Sequence, residues 1–158
     1  MKISSLQTAR YEYAPKLPGM LRNGIADICV NEGADTQSVA DQEKIKALFP
    51  NTYGKKEITF QKGQNTSEAK KQVVGVILSG GQAPGGHNVI AGLFDGLKSL
   101  NADSRLFGFL KGPDGLVKGE SMELTADIID AYRNTGGFDM IGSGRTKLET
   151  NEQFAIAA

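Results

Sequence analysis

The chain has 158 residues, enough for one compact domain with a hydrophobic core and too few to expect two. Its 18 basic residues balance its 18 acidic residues and form no long run, which argues against nucleic acid or a membrane surface as the main partner. The single cysteine, Cys29, excludes an internal disulfide, and no apolar stretch has the length of a signal peptide or a membrane span, so we expect a soluble cytoplasmic protein.

Residues 1–70 are predicted to form an irregular, partly helical N-terminal extension. "SSLQTARYEY" predicts a short helix capped by Ser4 or Ser5, and "SVADQEKIKALFP" predicts a helix that ends at Pro50. "EITFQ" is typical of a short strand, and the polar stretch "KGQNTSEAKKQ" is predicted to be a linker.

Residues 71–158 show the pattern of an α/β domain. "VVGVIL" and "RLFGFL" are continuous apolar runs, typical of strands buried on both faces of a parallel sheet, and "FDMIG" predicts a third strand. Apolar residues at helical spacing from Val89 to Leu100 predict one helix, and "ELTADIIDAYRNTGG" predicts another, capped by Thr125. This alternation predicts a three-layer, doubly wound, mainly parallel sheet.

The last stretch, "NEQFAIAA", predicts the start of a further helix with few strands for it to cover. Parallel sheets usually contain more strands than the pattern predicts here. We therefore expect the chain to hold an incomplete part of its α/β domain.

Glycine is concentrated in "SGGQAPGGH", directly after the first strand of the α/β pattern. Open parallel sheets bind ligands at this point, and Gly80 and Gly81 would let an anion approach bare backbone amides. The helix that begins near Gly86 or His87 would add N–H groups and a partial positive charge, so phosphate is the favoured ligand. The pattern matches neither GxxxxGK[ST] nor GxGxxG. The alternative is that these glycines only form a tight strand-to-helix turn.

Two more loops are predicted at the same edge of the sheet. "GSGRTK" places Arg145 and Lys147 after the third predicted strand, and both side chains bind phosphate well. "LKGPDGLVKG", which follows the second strand, is predicted to be a loop. The alternatives are that the two cations are merely solvated and that the second loop is a surface connection.

Together these loops resemble the phosphofructokinase family, and in particular its pyrophosphate-dependent members with long subunits. The resemblance runs from Val73 to the last residue and extends more loosely to "LQTARYEYAPKLP". "GGQAPGGHNVI" is similar to the form found in pyrophosphate users, whereas ATP-dependent members carry "GGDAPGMN". "GGFDMIGSGRTKLET" is similarly distinctive.

The resemblance implies a phosphofructokinase-like fold and phosphoryl transfer from pyrophosphate to fructose 6-phosphate, a reversible step of glycolysis that gives fructose 1,6-bisphosphate. It implies that this chain supplies the pyrophosphate-binding half, through the backbone of Gly80 and Gly81, through Arg145 and, less strongly, through Lys147. Pro113 stands where ATP-using relatives carry an aromatic residue against which adenine lies, which agrees with a donor that has no base.

The family's acceptor-side motifs are not found in this chain, so the sequence predicts no catalytic residue and no activity for the chain by itself. The resemblance implies Mg²⁺ bound with pyrophosphate, held largely by phosphate oxygens and water rather than by ligands from this chain. It also implies a homodimer or a higher homo-oligomer of the full-length protein. Two alternatives stay open: an ATP-dependent kinase of the same family, and a noncatalytic binding or regulatory subunit.

His87 is the one histidine of the chain, and no HxxE or HxH pattern or nearby cysteine accompanies it. A position at a helix N-terminus disfavours its protonation. We therefore predict that His87 serves packing or capping rather than chemistry.

Overall fold

The computed structural model describes residues 3–63 and 69–158. The chain forms two compact units, one of Met1–Lys16 with Glu68–Ala158 and the other of Leu17–Ser67. The first residues of the chain thus group with its second half, which the sequence did not indicate. A family domain that begins at residue 71 stays a prediction.

In its described residues, the unit Leu17–Ser67 contains two antiparallel strands, one α-helix and two short 3-10 helices, Gly19–Leu21 and Ile25–Asp27. Strand β1 (Ile28–Asp35) pairs with β2 (Lys56–Lys62), which confirms the strand predicted at "EITFQ". Helix α2 (Gln42–Leu48) was predicted, and it ends just ahead of Pro50. Strand β1 was missed, because its sequence has little alternation and its conformation depends on pairing with β2.

The other unit is built on a three-stranded mixed sheet in the order β3-β4-β5. Strands β3 (Val73–Val76) and β4 (Arg105–Phe109) are parallel, as predicted, whereas β5 (Ser121–Glu123) runs antiparallel to β4. The predicted α/β class and the incompleteness of the sheet are confirmed.

Two local predictions in this unit are wrong. "FDMIG" is not a strand: residues 138–142 form turns, in which the N–H of Gly142 donates to the carbonyl of Phe138 at 2.9 Å. Met140 and Ile141 are buried there, so this stretch is apolar because it is buried and not because it forms a strand. The loop predicted at "GPDGLVKG" contains helix α4 (Pro113–Lys118), since proline suits the first helical position.

The long helix of this unit, α3 (Gly86–Leu100), packs on β4 and against α5 (Ala126–Tyr132). Thr125 is the N-cap residue of α5, as predicted, although its side chain makes no capping hydrogen bond. Helix α4 also packs on β4 and against α6 (Asn151–Ala157). The core residues are Val76, Leu78, Ile90, Ala91, Phe94, Leu106, Leu124, Ile129, Met140 and Ile141.

Helix α1 (Ser5–Glu12) is capped by Ser4, one of the two predicted caps, whose Oγ accepts from the N–H of Gln7 at 3.2 Å. The carbonyl oxygens of Arg10 and Tyr13 accept from Nδ2 of Asn134 at 3.1 and 3.0 Å. This amide attaches α1 to the turn after α5. Within residues 3–63 and 69–158, no helix is both long enough and apolar enough to span a membrane.

Candidate functional site

Three segments meet where the parallel strands β3 and β4 end. The N–H of Gly80 donates to the carbonyl of Gly144 at 2.8 Å, and the N–H of Gly144 donates to the carbonyl of Leu78 at 3.4 Å. The N–H of Lys111, just past β4, donates to the carbonyl of Ile141 at 2.7 Å. The three loops singled out in the sequence therefore share one edge of the sheet.

The approach of these segments requires glycine. Gly112 has a φ of 74°, and a Cβ there would lie 2.5 Å from the backbone nitrogen of Gly144. A Cβ on Gly144 would in turn meet the carbonyl oxygen of Lys111. No side chain fits between the two loops, so their backbones pack directly against each other next to the residue that follows Gly144.

That residue is Arg145, and its guanidinium lies against the glycine loop, residues 80–87. A Cβ placed on Gly81 would be 2.7 Å from Nη2 of Arg145. The structure thus brings together the two features that the sequence suggested would share a ligand. Arg145 forms no ion pair with any residue that the structure describes, and its charge faces solvent.

The backbone donors of the loop differ from the expectation. The N–H of Gly80 is engaged by Gly144, so the contribution of Gly80 is its backbone conformation, with a φ of 104°. The next three amides, at residues 81–83, are in exposed residues and have no acceptor in the described part of the chain. The candidate anion donors are therefore these amides.

The first turn of α3 does not present the free amides that we expected near Gly86 and His87. The N–H of His87 donates to the carbonyl of Gly137 at 2.9 Å, and the N–H of Gly85 donates to that of Gly136 at 2.8 Å. Gly86 and His87 are also buried. The backbone of the turn after α5 occupies the place that an anion would take at this helix N-terminus.

The other cations have different positions. Lys147 is exposed, and no hydrogen bond or ion pair with a described residue ties it to the glycine loop. Lys111 is also exposed, with a φ of 60°, and it lies at the same edge of the sheet as Arg145. The sequence analysis missed Lys111, although a lysine directly after a buried strand is the signal that could have identified it.

Pro113 and the surrounding loop present no aromatic face. Pro113 is buried as the first residue of α4, and Gly112 is packed against Gly144. An open pocket of about 270 Å³ lies beside residues 82–84 of the glycine loop. It is lined by Gln82, Ala83, Pro84, Gly136, Gly137 and Phe138. Within the described residues, no cluster of three histidine, cysteine or acidic side chains could hold a metal ion.

His87 is buried, with 1% of its surface exposed, and both ring nitrogens are hydrogen-bonded. The N–H of Met140 donates to Nε2 at 3.0 Å, so the proton is on Nδ1, which lies 2.5 Å from Oγ1 of Thr135. Burial lowers the pKa of His87, and the nearby carboxylate of Asp139 opposes that shift only in part. These contacts agree with the predicted packing role, although burial rather than the helix terminus keeps the ring neutral.

Comparison with known proteins gives several long matches in sequence. A pyrophosphate–fructose 6-phosphate 1-phosphotransferase from Porphyromonas gingivalis is 60% identical over 98% of this chain and 28% of its own length. The enzyme of the same name from Treponema pallidum is 50% identical over 100% of this chain and 29% of its own. The subunit beta 2 of that name from Arabidopsis thaliana is 44% identical over 98% of this chain and 27% of its own.

The chain therefore spans less than a third of the length of these relatives. Among solved structures, the T-state phosphofructokinase of Pichia pastoris is 30% identical over 52% of this chain and 9% of its own, with a TM-score of 0.36. No family model matches the chain.

Proposed function

Because this chain belongs to the pyrophosphate-dependent phosphofructokinases, we propose that the complete protein transfers a phosphoryl group from pyrophosphate to fructose 6-phosphate. The product is fructose 1,6-bisphosphate, and the reaction is reversible. In this proposal the chain supplies the side of the active site that binds pyrophosphate.

The observation that carries the proposal is the position of Arg145 over Gly81. A guanidinium and a run of exposed amides at residues 81–83 form a donor-rich surface at the ends of two parallel strands. Phosphoryl transfer depends on positioning and on neutralising charge rather than on covalent participation by the protein. Charge-assisted hydrogen bonds from arginine to phosphate oxygens suit both requirements.

The loop after β4 supports a donor without a base. In ATP-using relatives an aromatic residue of this loop would lie against adenine. Here Pro113 occupies that position and is buried in the first turn of α4, and Gly112 closes the loop against Gly144. Pyrophosphate needs no such surface, because its oxygens can be bound entirely by amides and cations.

The remaining parts of the proposal follow from the family. Mg²⁺ would enter with pyrophosphate and neutralise its charge, held largely by phosphate oxygens and water. Lys147 is a secondary candidate for the same anion, and its exposed position allows this. We further propose a homodimer or a higher homo-oligomer of the complete protein, in the cytoplasm.

Donor competition in the complete protein tests the proposal. We expect turnover of fructose 6-phosphate with pyrophosphate and at most trace turnover with ATP. Efficient turnover with ATP alone would instead indicate an ATP-dependent kinase of the family. Binding of pyrophosphate without turnover of either donor would indicate a noncatalytic subunit. The 158-residue chain by itself is expected to be inactive.

A further inference from the structure

The glycine loop, residues 80–87, is joined to residues 135–145 at two separate places. One is the bond from Gly80 to Gly144, next to Arg145. The other lies at the start of α3, where Gly85 and His87 donate to the two carbonyls at residues 136 and 137. Residues 138–142 connect these two places in turns rather than in a strand or helix. Single backbone bonds hold them instead of a ladder: Gly142 donates to Phe138 within the segment, and Lys111 donates to Ile141.

Among the bonds made by the glycine loop, that of the His87 ring reaches the middle of this connecting segment. Nε2 accepts from the N–H of Met140 at 3.0 Å, five positions before Arg145. On its other side the ring bonds Oγ1 of Thr135, which donates to the carbonyl of Tyr132 at 2.6 Å. One nitrogen thus faces the segment that carries Arg145, and the other faces the end of α5.

We propose that His87 is a positioning residue of the pyrophosphate site, which holds Arg145 at the glycine loop through its hydrogen bond to Met140. This inference rests on the proposed function. A segment of turns has few backbone bonds of its own, so a buried side-chain bond at its midpoint limits where its end can lie. A small displacement of a charged group from its productive position is costly in phosphoryl transfer.

The groups that face the ring allow a pH dependence. Oδ1 of Asp139 lies 3.2 Å from Nε2, and the ring of Tyr132 packs edge-on at 4.8 Å. A protonated Nε2 would donate to Asp139 and could no longer accept from Met140. Apparent affinity for pyrophosphate should therefore fall in acid, below the ordinary histidine pKa of about 6.5. Burial lowers the pKa of His87, which places the change towards the acid side of that value.

Two substitutions test the roles of the two ring nitrogens separately. In His87→Gln the amide lies near the place of Nε2 and can accept from Met140, whereas in His87→Asn it lies near Nδ1 and keeps the contact with Thr135. In the complete protein, we expect His87→Asn to raise the KM for pyrophosphate roughly tenfold and His87→Gln to raise it less than about threefold. The KM for fructose 6-phosphate should not change in either variant, and both should lose similar thermal stability.

Equal effects of the two variants on the KM for pyrophosphate, or no effect of either, would overturn the inference. Hydrogen exchange without any ligand distinguishes this result from a failure of the proposed function. The amide of Gly80 should lose protection in His87→Asn and keep it in His87→Gln. Unchanged protection in both would refute the positioning role, whatever donor the wild-type protein uses.

Discussion

Arg145 lies over a residue without a side chain, and this contact can be tested by adding one methyl group. In Gly81→Ala the new Cβ would be 2.7 Å from Nη2, so the guanidinium must move away from the loop. Because Gly81 is exposed and has no positive φ, the fold should tolerate the change. We expect the KM for pyrophosphate of the complete protein to rise about tenfold, since one charge-assisted contact is displaced.

The matched control is the same substitution at Gly92, where no atom lies within 4 Å of the added Cβ. Gly92→Ala should leave the KM for pyrophosphate unchanged. If Gly81→Ala behaves like the control in steady-state kinetics, Arg145 does not contribute to donor binding from the position seen here.

His87 makes stability depend on pH with a definite sign. Its pKa is lowered in the folded state by burial, so the unfolded chain takes up the proton first as the pH falls. The stability that the neutral ring contributes is complete above the unfolded pKa of about 6.5 and is lost as the pH falls from there through the folded pKa. Urea unfolding at a series of pH values should show this loss in the wild type and not in His87→Gln. A loss of stability of the same size in both proteins would mean that other titratable groups cause it.

For single residues, the residue types of the site could be predicted from the sequence, but their hydrogen-bond partners could not. The glycine loop follows strand β3, as predicted, and parallel sheets bind ligands at that point. Arg145 was expected there because it would follow a third strand at "FDMIG", but the structure brings it to the glycine loop through the pairing of Ser79 with Gly144. That the N–H of Gly80 is used by Gly144 could not be predicted, because the pairing joins residues far apart in sequence. The contact of His87 with Met140 is hidden for the same reason.

Helix α3 connects the glycine loop to the core, and it has a glycine on its exposed side. Gly92 lies in the interior of the helix with open space around it. Since glycine loses more backbone entropy than alanine in a helix, Gly92→Ala should raise the free energy of unfolding by about 0.5–1 kcal/mol. Thermal or urea denaturation measures this, and a destabilised variant would mean that the exposed face of α3 is covered in solution.

Elements with a strong local pattern were predicted, and elements that depend on distant partners were not. Strands β3 and β4 and helix α3 have continuous or periodic apolar residues, a pattern that can be recognised within each segment alone. Strand β1 needs β2, and residues 138–142 are apolar because they cover the core rather than because they extend. Helix α4 was mistaken for a loop because the glycines around Pro113 resemble turn signals, whereas proline at a first helical position also begins a helix.

For the whole molecule, we propose that the described residues contain the donor-binding surface of the reaction. The chain spans 28% of the Porphyromonas gingivalis relative, and the described part of the domain has a sheet of three strands. A phosphoryl transfer also needs groups that bind the sugar phosphate and accept its proton. In our proposal the rest of the complete protein supplies them, so mutations in this chain should affect pyrophosphate more than fructose 6-phosphate.

The central claim is that Arg145 and the glycine loop bind pyrophosphate. The most direct measurement is the Kd for pyrophosphate, by calorimetry on the complete protein, in the wild type, in Arg145→Ala and, for comparison, in Lys147→Ala, the secondary candidate. Loss of a charged hydrogen-bond donor should weaken binding in Arg145→Ala by about 10- to 100-fold, with a smaller change in Lys147→Ala. An Arg145→Ala variant that binds pyrophosphate as tightly as the wild type would contradict the claim.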